Sequence, residues 1–195
     1  PALGWYKVGP LARLQNCDAI GTPLAEAARQ ELIATRNGLI HAPLMIHWAR
    51  MIELLHAAEM IGVLLADPAL LSHDLVTGGG RGTTAIAIIE APRGTLIHHY
   101  EVDENDLVTA CNLIVSTTHN NQAMNESIRE VARQYLDGHE PTEGLLNHVE
   151  IAIRAFDPCL SCATHALGKM PLEVEIVDAK GELVERLVRD GERLG

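Results

Sequence analysis

Cys159, Cys162 and His165, within "DPCLSCATH", place three soft or borderline donors at intervals of three residues. That spacing lets one metal ion or metal cluster be gripped from a single turn of chain. Pro158 stiffens the approach. The same Cys-x-x-Cys also fits a redox dithiol or an incidental pair, because a zinc site usually draws about four ligands and a second pair from elsewhere. Cys17 and Cys111 stand alone and supply no such pair.

Three further stretches carry polar chemistry. In "EAPRG", residues 90–94, Pro92 and Gly94 hold the backbone of Arg93 in a defined turn. A guanidinium fixed in this way can face an anion or a reacting centre, or can simply stand exposed on a hairpin. "VSTTHNN", residues 115–121, groups hydroxyls, an imidazole and two amides. It suits donation to an anion and equally suits a capping interruption between helices. "TGGGRGT", residues 77–83, lacks the Gly-Lys-Ser/Thr ending of a nucleotide loop and reads as a flexible turn. His41, His47, His56, His98 and His99 have core or surface roles by default, with Glu53 and Glu59 near His56.

These groups need a scaffold, and 195 residues with 47% hydrophobic and 21% charged composition are enough for one sizeable core. A net charge of -11 excludes nucleic acid and anionic membrane surfaces, which require clustered Lys and Arg. No apolar run reaches the roughly 18 residues of a membrane span; "MIGVLLADPALL" is broken at Asp67 and Pro68. The four cysteines are sparse, which predicts reduced thiols in a cytoplasmic compartment. The chain opens at Pro1 without an initiator Met or a signal-like segment, which predicts a fragment of a longer subunit.

The local pattern predicts a helix from Thr22 to Arg36, with Thr22 as cap and Pro23 in the first turn. A longer helix runs from Pro43 to about Ala66. Two short strands joined by "APRG" fall between Leu75 and Val102. Helical character returns from about Glu104 and again from Gln122 to Leu136, with "STTHNNQ" interrupting, and a last helix spans about Thr142 to Ala155. Alternation around "AKG" predicts a hairpin from Leu172 to Val188. The fold class is therefore mainly α, multihelical with small β-hairpins.

In order, "EAPRGTLIHHYEVD", "NLIVSTTHNNQAMN" and "FDPCLSCATHALG" resemble the carboxy-terminal half of the large subunit of nickel-iron hydrogenases. The likeness covers essentially the whole chain and is nearest the cytoplasmic branch that serves NAD(P) or methanogen partners. It implies the multihelical hydrogenase large-subunit fold, with residues 1–165 in that domain and 166–195 as a maturation extension.

The resemblance also implies roles. Cys159 would be a terminal nickel thiolate and Cys162 the thiolate bridging nickel and iron, in a Ni-Fe centre with cyanide and carbon monoxide ligands. Arg93, with Pro92, would overhang the centre, and Asp157 would pair with that arginine. Thr117 would hydrogen-bond a cyanide on iron. His165 and the backbone carbonyl at about Leu113 would serve a magnesium site (Mg2+). The reaction implied is reversible heterolytic cleavage of hydrogen, a thiolate or the arginine taking the proton.

Partners follow from what the chain lacks. The family's second Cys-x-x-Cys and a nearby Glu are absent here, so they would lie upstream, in an Arg-x-Cys-Gly-x-Cys context. Electrons would leave through a small subunit carrying iron-sulfur clusters, then a diaphorase or another electron-transfer subunit. A maturation endopeptidase would cut between His165 and Ala166. Two other classes are a metal-free relative from the quinone-reductase complexes, whose lineage has lost these cysteines, and a zinc-stapled helical interaction module.

Overall fold

A computed structural model of the chain describes residues 4–136, 142–159, 172–178 and 180–189. They fall into two units, Pro1–Pro158 and Cys159–Gly195.

The first unit runs α1 (Pro10–Asn16), α2 (Pro23–Ala34), α3 (Met45–Leu65), a short 3-10 turn (Pro68–Leu71), β1 (Thr84–Ala91), β2 (Gly94–Val102), β3 (Val108–Ile114), α4 (Ser116–Tyr135) and α5 (Glu143–Ala155). Its core is helical: Leu11 and Leu14, Ala25 and Leu32, Ile46, Ala49 and Ile52, and Ala123 meet Ile40 and Phe156 from the connections. Burial of each large apolar side chain contributes about 1.5–3 kcal/mol. Only the first half of α3 is used in this way. Further along, Ile61, Val63, Leu64 and Leu65 are exposed.

The strands β1, β2 and β3 form an antiparallel sheet in that order. Among the described residues of the second unit, β4 (Leu172–Val177) and β5 (Leu183–Arg189) form an antiparallel hairpin. Asp178 Oδ1 closes its turn by accepting the amides of Lys180 at 2.8 Å and Glu182 at 2.9 Å. With two sheets among five helices in the described residues, the architecture is mixed α and β, which corrects the mainly α expectation.

Two local corrections explain the difference. Residues 108–114, expected to be helical, are strand β3 because Val108, Thr109 and Ile114 supply β-branched side chains beside the β2 edge. The "STTHNNQ" stretch does not interrupt a helix; it forms the opening of α4. Its Ser116 and Asn120 side chains bond to distant backbone rather than to the helix itself, so they do not compete with helical hydrogen bonds.

At α2 the expected Thr22 stands at the cap position, but its hydroxyl shares a 2.9 Å hydrogen bond with His56 Nδ1. Glu59 instead accepts the amides of Leu24 at 3.0 Å and Ala25 at 2.9 Å, so a side chain of α3 caps α2. Buried Arg29 donates to the carbonyls of Leu14 and Asp18, tying the end of α1 to α2.

Candidate functional site

The turn that carries Arg93 is two residues long. Ala91 pairs with Gly94 across β1 and β2, leaving Pro92 and Arg93 as its tip. Pro92 has its φ set by the ring. Gly94 has φ +134°, and a Cβ built there would sit against the Val8 side chain and 2.9 Å from the Gly9 nitrogen. Gly9, at φ +110°, lies equally close: a Cβ there would stand 2.8 Å from the Arg93 carbonyl oxygen. Both glycines are required by the approach of these two backbones.

Helix α4 braces the same place. Ser116 Oγ donates to the Gly94 carbonyl at 2.8 Å, from a buried position. Asn120 accepts the Val8 amide at 2.8 Å and donates to the Val8 carbonyl at 3.2 Å. Arg13 of α1 donates to the Ala91 and Pro92 carbonyls at 2.9 and 2.8 Å. Sequence reasoning marked the 115–121 stretch as polar but gave neither Ser116 and Asn120 nor Arg13 this bracing role. The signal was present for Gly9 alone, in the Gly-Pro step that opens α1.

Arg93 Nε lies 3.0 Å from Asp157 Oδ2. Asp157 follows α5, and its amide donates to the Arg154 carbonyl at 3.0 Å. Its φ of +51° is left-handed, a conformation that Asp and Asn tolerate better than most residues. That conformation turns the chain out of the helix just before Pro158 and Cys159. Cys159 is half-buried and not in a disulfide.

Other expected site residues are placed as follows. Thr117 lies in the first turn of α4, next to Ser116. Leu113 lies on β3 opposite His98. Cys162, His165 and the 165/166 junction lie outside the described residues. The Tyr6 hydroxyl and His119 Nδ1 share a 2.7 Å hydrogen bond, and His119 Nε2 is buried with no partner among the described residues. The His56 neighbourhood is structural, as the helix cap shows.

Among the described residues, no group of three or more His, Cys, Asp or Glu is gathered for a metal ion. The donor chemistry of the chain nonetheless suits a soft or borderline metal: Cys159 begins a Cys-x-x-Cys pair of thiol donors, and Asp157, the ion-pair partner of Arg93, stands two residues before it.

Comparison with known proteins points the same way. Residues 6–165 match the family model described as nickel-dependent hydrogenase. The NAD-reducing hydrogenase HoxS subunit beta of Cupriavidus necator is 48% identical over 95% of this chain and 39% of its own length. The iron-sulfur subunit of an F420-non-reducing hydrogenase from Archaeoglobus profundus is 46% identical over 93% of this chain and 38% of its own length. In three dimensions, a crystal structure of an NAD+-reducing [NiFe]-hydrogenase in the H2-reduced state superposes with a TM-score of 0.79 at 56% identity. It covers 83% of this chain and 36% of that one. The chain thus spans under two fifths of the length of these curated relatives. With the family model matched from Tyr6 to the motif histidine, this chain belongs to the nickel-dependent hydrogenase family.

Proposed function

We propose that this chain is the carboxy-terminal part of a hydrogenase large subunit that oxidises hydrogen reversibly in the cytoplasm. The observation that carries the reading is the ion pair between Arg93 and Asp157, which comes two residues before Cys159. Cys159 and Cys162 would hold a nickel-iron centre together with two thiolates from upstream. His165 and the Leu113 carbonyl would hold Mg2+. When bound, the nickel-iron centre, with its cyanide and carbon monoxide ligands, supplies the heterolytic splitting of hydrogen.

The protein's own part is electrostatic. Arg93 presents a fixed cation, oriented by Asp157, so that charge developing nearby is stabilised without reorganisation. A guanidinium is a poor proton acceptor, so a thiolate Sγ of Cys159 or Cys162 takes the proton. Thr117, in the first turn of α4, would donate its hydroxyl to a cyanide of that centre. Electrons pass to a small subunit with iron-sulfur clusters and on to a diaphorase-type partner. A maturation endopeptidase removes residues 166–195.

The test is made on the complete subunit purified with its partners. Nickel and iron are expected in the metal analysis, with infrared bands from cyanide and carbon monoxide. R93K is expected to lower kcat at least about a hundredfold at unchanged nickel content, the scale of losing one preorganised donor. Mass spectrometry of the mature subunit is expected to end at His165. Zinc alone, no metal, or an active preparation without those infrared bands overturns the reading.

A further inference from the structure

A guanidinium has five N–H donors in a rigid fork. Arg13, on α1, has a protein acceptor for each of them. Nε and Nη2 grip the two oxygens of Glu53 on α3, each at 2.7 Å. Nη1 donates to Glu90 Oε2 and to the Ala91 carbonyl, both at 2.9 Å. Nη2 also donates to the Pro92 carbonyl at 2.8 Å. The last three acceptors belong to three consecutive residues, and Arg93 comes next in the chain.

This arrangement does more than tie two helices together. The Ala91 and Pro92 carbonyls belong to the peptide planes on either side of Pro92, so bonding both to one rigid group fixes those planes. The ring of Pro92 fixes φ, one of the two torsions between them. On the far side, Ser116 holds the Gly94 carbonyl, and Gly9 abuts the carbonyl of Arg93 itself. Little freedom then remains in where the Arg93 side chain leaves the backbone. The bidentate Glu53 pair anchors the fork to the helical core, since α3 buries Ile52 beside it.

We infer that Arg13, anchored by Glu53, is a positioning residue for Arg93, holding the turn in the orientation from which Arg93 meets Asp157. The inference rests on the role proposed for Arg93. A lysine cannot replace Arg13, because a compact ammonium with three donors does not reproduce a planar fork to four acceptor groups.

The experiment is a double-mutant cycle in the complete complex, using R13Q, R93K and R13Q/R93K, with R13K as the conservative variant. R13Q is expected to lower kcat at least tenfold, with nickel content unchanged and KM for hydrogen within twofold. R13K is expected to recover less than half of that loss on a logarithmic scale. The double variant is expected to be no slower than R93K alone, because both changes act through one group. In a crystal structure of R13Q the Arg93–Asp157 separation is expected to exceed about 4 Å, the limit for an ion pair.

Multiplicative losses in the double variant overturn the inference, as does an unaffected R13Q beside an impaired R93K. A nickel-loaded R93K complex as fast as the parent instead overturns the reading of Arg93, and the inference with it. If R13Q does not assemble, E53Q, which keeps the fork and weakens its anchor, enters the same cycle. Failure of E53Q to assemble as well overturns the inference, because the cluster then serves folding alone.

Discussion

Arg93 and Asp157 meet at 3.0 Å, and each side chain keeps 44% of its surface open. An ion pair so exposed adds only about 0–1 kcal/mol to stability. Its consequence is orientation, and this separates two substitutions at one position. D157N keeps a side chain that tolerates φ +51° while losing the charge. It is expected to cut activity of the complete complex roughly ten- to a hundredfold, the scale of a misplaced group, with little change in Tm. D157A adds a left-handed backbone cost of about 1–2 kcal/mol and is expected to lower Tm as well. Activity assays beside thermal melts distinguish them; equal melts for both variants would contradict the backbone argument.

Gly94 offers a purely steric test. G94A places a methyl against Val8 and 2.9 Å from the Gly9 nitrogen, at φ +134°. It is expected to destabilise the chain by about 1–3 kcal/mol for the backbone alone, with the clash in addition. Gly78 has nothing within 4 Å of the same built atom, so G78A is the matched control and is expected to be near neutral. Denaturant midpoints for the two variants make the comparison.

Ser116 tests the brace from α4. S116A leaves the Gly94 carbonyl without its 2.8 Å donor at a buried position. A loss of about 0.5–1.5 kcal/mol is expected from the missing hydrogen bond. S116T, which retains the hydroxyl, is expected to recover part of it, read from the same unfolding curves.

Acid stability is tied to Glu26. Hydrogen bonds from Arg29, Gln30 and the Ile20 amide hold its carboxyl at about 2, against an ordinary 4.5. A depressed carboxylate contributes stability that is complete above pH 4.5 and is lost as pH falls toward about 2. Melting temperature is therefore expected to fall across that window, and E26Q to flatten the fall while lowering Tm at neutral pH. An equally steep profile in E26Q would assign the acid sensitivity elsewhere.

The elements that could be read from the sequence were those with strong local grammar. Pro23 behind Thr22, the apolar run of α3 and the alternation around Lys180 gave α2, α3 and the last hairpin within a few residues. The "APRG" turn was legible because proline and glycine constrain the backbone whatever surrounds them. The β3 strand was not, since Glu104, Asn105 and Asp106 imitate a helix start and only the β2 edge decides the matter. Of the site, Arg93 was marked by its turn, while its pairing with Asp157 came from motif resemblance. Arg13 was not singled out, and Ser116 and Asn120 were read within "VSTTHNN" as anion donors or caps rather than braces, because their partners lie far along the chain and no local spacing encodes a long-range hydrogen bond.

Among the described residues β1 has no strand on its outer edge, which gives the isolated polypeptide a second fate besides folding. β1 reads "TAIAIIEA", with Ile86, Ile88 and Ile89 each more than 60% exposed and Glu90 its one charge. Unpaired amides along an apolar strand template the addition of another strand, from a second copy as readily as from anywhere else. Net charge of -11 slows such encounters at low ionic strength, but the Debye length shrinks to about 8 Å in physiological salt. The solubility of this chain on its own is therefore set by salt and concentration as much as by the quality of its helical core.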